Sequence, residues 1–328
     1  MPSFHGQFIK EYTVQAIRLF FLSQNFHEVD TPLLLPSLPL EPGLFSLSCH
    51  WRHRHQDFYL ATSPESSLKK LISQNIGNCF AISHVCRDLE DIGPTHNLEF
   101  SMLEWYEMSK DYHHMAKTTQ KMILKVFHGI QQKQGLHPSN LLKYQTHTID
   151  LSPPWPSATL NSLFKKYANI DLAKNLQKTD DNDPNWEPWF AKTMIDKIEP
   201  NLPLDRPFFI YDYPTRLSPL CQLCKNSPGL SQRFEFFIAG MEIGNAYTEL
   251  TDDKILSQNF KREKAYRLKH HLPSHPYDQA LVKATKNFPA CTCIAIGVDR
   301  LAMLFANVSH IKDVLYFDTK HLLSQNSS

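Results

Sequence analysis

The sequence predicts an α+β fold in which a mainly antiparallel sheet is flanked by helices. Residues 79–85 and 98–106 are strand-like segments around a polar loop, a pattern typical of a long antiparallel hairpin. Apolar residues at helical spacing precede this hairpin over 8–21 and follow it over 113–133. A doubly wound parallel sheet would need a regular alternation of strands and helices, which the sequence does not show.

Spacing and turn residues define the N-terminal elements. The helix over 8–21 carries apolar residues three and four apart, namely Ile9, Tyr12, Ala16 and Phe20. A turn and a short strand follow and end at Pro32. A second helix is predicted to start at Ser63-Pro64-Glu65, because Ser63 can cap a helix and Pro64 suits the first helical position. One face of this helix is expected to carry Leu68, Leu71 and Ile72.

The second half of the chain is less regular. Residues 147–203 are rich in Pro, Asp and Trp with weak periodicity, and we interpret them as an insertion of short helices and loops. The later predicted elements are strands over 208–211 and 234–243 and a charged helix over 254–271. An apolar strand over 293–298 and a last helix over 299–307 follow. The length of 328 residues allows one large domain or two, and we expect a single domain over 1–328.

Composition and charge narrow the class of protein. Hydrophobic residues make up 42% of the chain, which is typical of a globular protein. Lys plus Arg minus Asp plus Glu is 34 − 33 = +1, and this disfavours nucleic acid, hence tRNA, as the main partner. No apolar run approaches the ~20 residues of a membrane span, and no secretory signal follows Met1. We therefore expect a cytoplasmic protein without membrane contact.

The seven cysteines do not suggest a disulfide framework. Cys221 and Cys224, together with Cys291 and Cys293, could form a four-thiolate zinc site. The alternative, which we favour, is that they are small buried or loop thiols.

Two sequence clusters around the hairpin carry candidate chemistry. With 10 glycines and no phosphate-binding glycine loop, the chain would have to hold ATP with side chains. Arg87 stands at the end of the first strand, before a polar loop. On the returning strand, period-two geometry puts Phe100, Met102, Glu104 and Tyr106 on one face. Such a face suits a cationic amine or a nucleobase, although a solvated strand face is the alternative.

Two further clusters lie in the C-terminal third. Glu242 and Glu249 flank Asn245, and carboxylates of this kind suit Mg²⁺ bound to phosphates, although surface glutamates are the more common explanation. Gly297-Val298-Asp299-Arg300 is a strand-to-helix junction whose Arg300 can bind phosphate or stack on a ring. An ordinary helix start with an exposed Arg is the alternative there.

Taken in order, these segments resemble the catalytic domain of class II aminoacyl-tRNA synthetases of the lysine subgroup. Pro32 matches motif 1, Cys86 to Phe100 match motif 2, and Cys293 to Leu301 match motif 3. The resemblance covers residues 7–317. Within the subgroup the chain is most similar to the ligases that activate (R)-β-lysine with ATP and attach it to a lysine of elongation factor P. Motif 1 implies a homodimer.

Three features favour these ligases over lysyl-tRNA synthetases. We expect no anticodon-binding domain before motif 1, and near-neutral charge suits a protein acceptor better than tRNA. Ala295 stands where the synthetases usually carry Gly. A free-standing synthetase-like enzyme that activates α-lysine and a non-catalytic nucleotide-binding paralogue remain the alternatives.

The resemblance implies roles for individual residues. Arg87 would bind the α-phosphate of ATP as a catalytic residue, and Phe100 and Arg300 would sandwich adenine, with Arg300 also catalytic. The other implied ATP contacts are Asp88, Leu89, Glu90, Asn97, Glu242, Ile243 and Gly297. The implied contacts to the lysine-type amino acid are Ser63, Pro64, Glu65, Tyr106, Glu249 and Ala295. Glu242 and Glu249 would hold Mg²⁺, or Glu249 would bind the substrate amine.

Four positions depart from the family motifs. Motif 2 has Cys86 in place of Phe, Leu98 in place of Pro, and Leu89 in place of a Glu whose role Glu90 could take over. In motif 3, Cys293 replaces Gly.

Overall fold

A computed structural model describes residues 4–179, 183–225 and 227–325, so both ends of the predicted domain and residues 180–182 of the predicted insertion lie outside it. The strands of the described residues are β1 (His27–Glu28), β2 (Leu34–Leu35), β3 (Ser48–Trp51), β4 (Gln56–Leu60), β5 (Cys79–Cys86), β6 (Glu99–Met108), β7 (Leu141–Tyr144), β8 (His147–Asp150), β9 (Ser157–Thr159), β10 (Phe208–Pro214), β11 (Leu230–Ile238), β12 (Met241–Thr248) and β13 (Cys291–Gly297).

Helices lie between and around these strands. They are α1 (His5–Leu22), α2 (Glu65–Ile72), α3 (Tyr112–Lys133), α4 (Leu160–Leu163), α5 (Leu172–Lys178), α6 (Trp186–Thr193), α7 (Asp253–Lys269), α8 (Gln279–Thr285), α9 (Val298–Ala306) and α10 (Thr319–Gln325). Wider π-type turns extend α4 over Phe164–Ala168 and α6 over Met194–Ile198. Among the described residues, no helix is both long and apolar enough to cross a membrane.

One large sheet organises the fold. Across the described part of the chain it joins eight strands in the order β1-β5-β6-β13-β12-β11-β10-β9. Only the two outer pairs, β1 with β5 and β9 with β10, are parallel. The predicted mainly antiparallel α+β arrangement is therefore confirmed.

The predicted hairpin is confirmed with its alternating faces. β5 pairs with β6 from Cys79 opposite Tyr106 to Cys86 opposite Glu99. Leu103 and Trp105 point into the main core, while Met102 and Glu104 line a cavity on the other face.

Aromatic packing fixes the helical layer on the core side. Phe21 of α1 stacks on Phe80 with ring centroids 4.9 Å apart and lies equally close to Trp105. Burying each such side chain contributes roughly 1.5–3 kcal/mol. The helix predicted over 8–21 is thus confirmed, and it supports the hairpin from behind.

The single strand predicted over 234–243 is wrong. The structure breaks it at Ala239 and Gly240, which form a two-residue turn with φ of 50° and 75°. Ile238 then pairs with Met241 across the hairpin of β11 and β12. Apolar residues continue through the turn, so only Gly240 signals the break.

Two smaller boundaries also differ from the prediction. Helix α2 begins at Glu65, and Pro64 is its N-cap and not its first helical residue, while the Glu65 amide donates to Ser63 Oγ at 3.4 Å. The last predicted helix begins one residue early, at Val298, and ends at Ala306 with Asn307 in the left-handed region.

Residues 147–203 contain the predicted short helices but also two strands that were not predicted. β9 adds a parallel edge strand to the main sheet through β10. The helices enclose a small core of their own around Phe164, Trp186 and Phe190. The segment therefore joins the main sheet through β9, and its helices form a separate hydrophobic core beside that sheet.

Candidate active site

Two adjoining cavities lie on the face of the sheet opposite α1. Cavity A has a volume of about 230 Å³ and contains Phe100 and Arg300 in its lining. Cavity B has a volume of about 310 Å³ and contains Glu65 and Glu104 in its lining. Both cavities are lined by a common set, namely Arg87, Met102, Glu242, Asn245 and Ala295. The two sequence clusters of the hairpin therefore meet the two C-terminal clusters at one place.

Arg87 stands where the cavities join. Its guanidinium lies 5.3 Å from the centre of the Phe100 ring, and its Nη1 lies 3.4 Å from Glu90 Oε1. Leu89 is 63% exposed, and neither it nor Asp88 lines either cavity. Glu90 thus occupies the place beside Arg87, whereas the predicted ATP contacts of Asp88 and Leu89 stay predictions.

Three hydrogen bonds fix Arg300 in the lining of cavity A. It donates hydrogen bonds to Thr95 O at 3.2 Å, to Glu242 O at 2.9 Å and to His96 Nε2 at 2.6 Å. Burial and the Arg300 charge lower the pKa of His96, so the ring accepts this bond as a neutral base. The carbonyls and the ring hold Arg300 in place without neutralising its charge, which remains available to an anionic ligand.

Asp299 anchors the junction that carries Arg300. Its Oδ2 accepts the Ser101 amide at 2.7 Å, and its Oδ1 lies 2.5 Å from Lys10 Nζ. The buried carboxylate thereby ties the start of α9 to β6 and to α1. Sequence reasoning includes Asp299 in the junction without a role and misses Lys10, because the partners of both residues are distant in the chain.

Asn97 makes backbone contacts in this structure. Its Oδ1 accepts the Thr319 amide at 3.0 Å, and its Nδ2 donates to Glu99 O at 2.7 Å. These bonds attach the loop before β6 to the start of α10. Asn97 also lines cavity A, and its predicted contact with adenine stays a prediction.

A buried carboxylate cluster lies beneath cavity B, whose lining includes Glu65 and Glu104 of the cluster but not Tyr106, Lys69 or Glu249. Tyr106 donates a hydrogen bond of 2.8 Å to Glu104, whose pKa is raised well above its usual range by burial and by Glu65. Lys69 forms an ion pair with Glu65 and another with Glu249 Oε2 at 2.9 Å. Burial raises the pKa of Glu249 to about 7, although the Lys69 charge opposes this.

The carboxylates of this cluster outnumber its ammonium group, although burial favours the protonated forms of Glu104 and Glu249. Three carboxylates, Glu65, Glu104 and Glu249, surround one ammonium group. Burial alone would lower the pKa of Lys69, but Glu249 and Glu65 raise it well above its usual value. The cluster therefore fits a ligand that brings further positive charge. Nothing in the sequence, beyond its place on α2, indicates that Lys69 belongs to the site.

A β-bulge positions Glu242. Phe237 pairs with Glu242 and Phe236 with Gly244, which leaves Ile243 as an extra residue in β12. Ile243 is buried in the main core, and Glu242 lies on the same face as Asn245.

The predicted magnesium pair is not brought together. Glu242 and Glu249 are seven residues apart in extended chain, roughly 20 Å, so one ion cannot bridge them. Glu235 and Glu242 instead both line cavity B, and burial followed by the Glu242 charge raises the pKa of Glu235 to about 7. Two carboxylates at this place are a donor set that suits Mg²⁺. Sequence reasoning missed Glu235.

The other predicted site residues lie around these two cavities. Ser63 and Ala295 line cavity B, whereas Ile243 and Gly297 line cavity A. Pro64 is buried at the start of α2 and lines neither cavity.

The four cysteines of the possible zinc site have different surroundings. Cys221 and Cys293 line cavity B, Cys291 is buried, and Cys224 Sγ lies 3.6 Å from Asp212 Oδ1. Burial raises the pKa of Cys221 and Cys293. Over residues 4–179, 183–225 and 227–325, no group of three or more His, Cys, Asp or Glu side chains is placed to hold a metal ion. The zinc alternative therefore gains no support.

Comparison with known proteins identifies the family to which this architecture belongs. The family model for class II tRNA synthetases (D, K and N) matches residues 7–321. A lysine–tRNA ligase of Saccharolobus solfataricus is 32% identical over 326 residues, which cover 94% of this chain and 63% of that protein. Elongation factor P–(R)-β-lysine ligases of Proteus mirabilis and Salmonella paratyphi B are each 29% identical to this chain. Each match covers 94% of this chain, together with 93% of the Proteus protein and 94% of the Salmonella protein.

The chain thus spans less than two thirds of the length of the lysine–tRNA ligases that it matches. The family match, by contrast, extends over nearly all of the chain and includes both cavities. The chain belongs to the class II tRNA synthetase family (D, K and N).

Proposed function

We propose that the chain is an ATP-dependent ligase, which activates (R)-β-lysine as an adenylate and transfers it to a lysine of elongation factor P. The observation that carries this proposal is the junction of the cavities. Arg87 lies where cavity A, with its ring and guanidinium groups, meets cavity B, with its buried carboxylates. A nucleotide phosphate and an amino acid carboxylate can meet beside Arg87.

Cavity A suits ATP. Phe100 offers a ring for adenine, and Arg300 supplies a fixed positive charge in the same lining. When the substrate carboxylate attacks the α-phosphorus, negative charge develops as pyrophosphate leaves. Arg87 would stabilise that charge, which is the electrostatic contribution that matters most in such a step.

Cavity B suits a diamino acid. A lysine or β-lysine carries two ammonium groups, and cavity B presents Glu65 and Glu104, with Glu249 behind them. The inner pair of Glu104 and Tyr106 would bind one amine, and Glu65 with Glu249 would bind the other. Cys293 and Ala295 border the same cavity, so they limit its size where the carbon chain would lie.

Glu235 and Glu242 would hold Mg²⁺ against the phosphates. The ion would neutralise phosphate charge while ATP is bound. Tyr213 and Arg233 bind Glu235 at 2.7 and 2.8 Å and fix the direction of its carboxylate.

The acceptor is proposed from the relatives and from charge. The two elongation factor P ligases match this chain over nearly their whole length, and the net charge of +1 gives little attraction for tRNA. A second candidate is an α-lysine-activating synthetase that acts on tRNA, which the 32% identity to a lysine–tRNA ligase favours.

A homodimer is part of this proposal. Leu19, Leu22, Leu33 and Leu34 are exposed apolar side chains on α1 and on the segment around Pro32. Exposed apolar groups in one region are typical of an interface between protein chains.

Amino-acid-dependent exchange of pyrophosphate into ATP tests the activation step. We expect exchange with (R)-β-lysine to exceed exchange with L-α-lysine. Preference for L-α-lysine would favour the second candidate, and no exchange with either amino acid would contradict both. Incubation of the labelled adenylate with elongation factor P or with tRNA then identifies the acceptor.

A further inference from the structure

A third cavity lies between the inserted segment and the sheet. This cavity C has a volume of about 350 Å³. It adjoins cavity B, and four residues line both, namely Pro42, Leu217, Arg233 and Glu235. Adenylate formation, as proposed above, uses cavities A and B and leaves cavity C without a role.

One wall of cavity C is apolar and belongs to the inserted segment. Phe190 and Ala191 come from α6, and Met194 and Ile195 come from the turn that extends it. Residues three to five apart share a helix face, so these four side chains form one surface. Ile195 is 62% exposed, so this wall is accessible from solvent.

The charged groups of cavity C are mainly acidic. Its lining contains Glu187, Glu199 and Glu235 against a single cation, Arg233. Arg233 already pairs with Glu235 at 2.8 Å. Burial raises the pKa of Glu187, although the Arg216 charge opposes this, and burial with the Glu242 charge raises the pKa of Glu199. Such a lining repels a phosphodiester chain and attracts an ammonium group.

We propose that cavity C is the acceptor subsite and that it takes a primary amine on an aliphatic stem, the side chain of a lysine in the acceptor protein. The stem packs on the wall of Ala191 and Ile195, and the amine passes Glu235 into cavity B. This inference rests on the proposed function. It adds the route of the acceptor and gives the inserted segment a role in acceptor choice.

The transfer step balances as follows. The lysine ammonium gives one proton to a lining carboxylate or to water, and the neutral nitrogen then bonds to the carbonyl carbon of the adenylate. The bond from that carbon to the phosphate oxygen breaks, and AMP leaves with the electron pair. The second proton on nitrogen goes to water, which leaves an amide.

A pair of variants on one helix tests the route. Ala191→Trp fills cavity C, whereas Lys192→Trp places the same bulk on the next residue, whose side chain is exposed and outside the lining. Both are assayed for lysine-dependent pyrophosphate exchange, for transfer to elongation factor P, and for capture of the adenylate by hydroxylamine. We expect Ala191→Trp to slow transfer to elongation factor P by about tenfold or more, equivalent to about 1.4 kcal/mol. Its exchange and hydroxylamine capture, and all three activities of Lys192→Trp, should stay near wild type.

A charge variant tests the same subsite independently. Glu199→Lys should slow transfer to the protein amine by a similar factor and leave exchange unchanged, because a cation in the lining repels an ammonium group. The inference is overturned if Ala191→Trp transfers at the wild-type rate, or if both tryptophan variants lose transfer equally. Charging of tRNA and not of elongation factor P by the wild type would contradict the proposed acceptor, and the inference with it. Absence of exchange in the wild type would instead contradict the proposed function itself.

Discussion

The Lys69 ammonium lies 2.9 Å from Glu249 Oε2, and both side chains are buried beneath cavity B. This contact joins helix α2 to the residue that follows strand β12, and its two residues are 180 positions apart in the chain. The same ammonium also pairs with Glu65. One cation thereby orients two of the carboxylates that we assign to the substrate amines.

Replacing Lys69 by Met should damage both stability and substrate binding. Removing one partner of a buried ion pair leaves the other charge uncompensated, at a cost of about 3–5 kcal/mol. The free energy of unfolding in urea and the KM for the amino acid measure the two effects. Lys121→Met is the control, because Lys121 is exposed on α3, and it should change stability by no more than ~0.5 kcal/mol. Equal losses in the two variants would contradict this role.

Replacing Arg87 by Ala should abolish activation without unfolding the protein. Loss of a group that stabilises developing charge costs about 10²–10³ in kcat. Arg87 is partly exposed, so the urea midpoint should move little. Pyrophosphate exchange gives the rate, and Arg52→Ala, on an exposed turn, is the matched control. Adenylate formation that survives in Arg87→Ala would show that the motif 2 placement is wrong.

The buried carboxylates predict how stability depends on pH. Burial raises the pKa of Glu235 and of Glu249 from 4.5 to about 7 in the folded protein. The folded state keeps these protons at pH values where the unfolded chain has lost them. The free energy of unfolding should therefore fall as the pH rises from about 4.5 to about 7 through these two groups. Glu249→Gln should flatten this slope when urea midpoints are compared across that range.

The same titration predicts the opposite trend for substrate binding. A substrate ammonium binds better to an ionised carboxylate, so the KM for the amino acid should fall as the pH rises through about 7. The change can reach about tenfold per pH unit below that pKa. Kinetics from pH 6 to pH 8 measure it, and a KM that is independent of pH would remove Glu249 from the amine site.

Variants of Glu242 and Glu249, which the sequence predicts as a magnesium pair, should differ in their dependence on Mg²⁺. Glu242→Gln is expected to raise the Mg²⁺ concentration that gives half-maximal exchange, because Glu242 and Glu235 share a wall of cavity B. Glu249→Gln should raise the KM for the amino acid and leave the Mg²⁺ requirement unchanged, since Glu249 pairs with Lys69. Identical effects of the two variants on Mg²⁺ would support the pairing predicted from sequence.

Local periodicity is enough to predict much of the frame of the site. A strand alternates its faces every residue, so the sequence places Phe100, Met102 and Glu104 on one face correctly. Helix α1 and the last helix follow from apolar spacing in the same way. The spacing rule fails at the Ala239-Gly240 turn, where the apolar residues do not stop.

The parts that sequence does not predict depend on contacts between distant segments. Lys69 looks like an ordinary surface lysine until α2 packs beside β12 and buries it. Glu235 stands seven residues before Glu242, and only the tight hairpin returns the chain and puts both on one wall. Cavity C needs the inserted segment to pack beside β10 and β11, and no local pattern encodes that.

The extra residue at Ile243 puts the two halves of β12 out of phase. Before the bulge, Glu242 lines both cavity A and cavity B. After the bulge, Asn245 lines both cavities and Tyr247 lines cavity B. Deleting Ile243 would remove the bulge and place Glu242 two positions before Asn245 in regular alternation, so both side chains would stay on the same face. The face that Glu242 takes therefore survives loss of the extra residue, whereas the local bend that the bulge gives the strand does not.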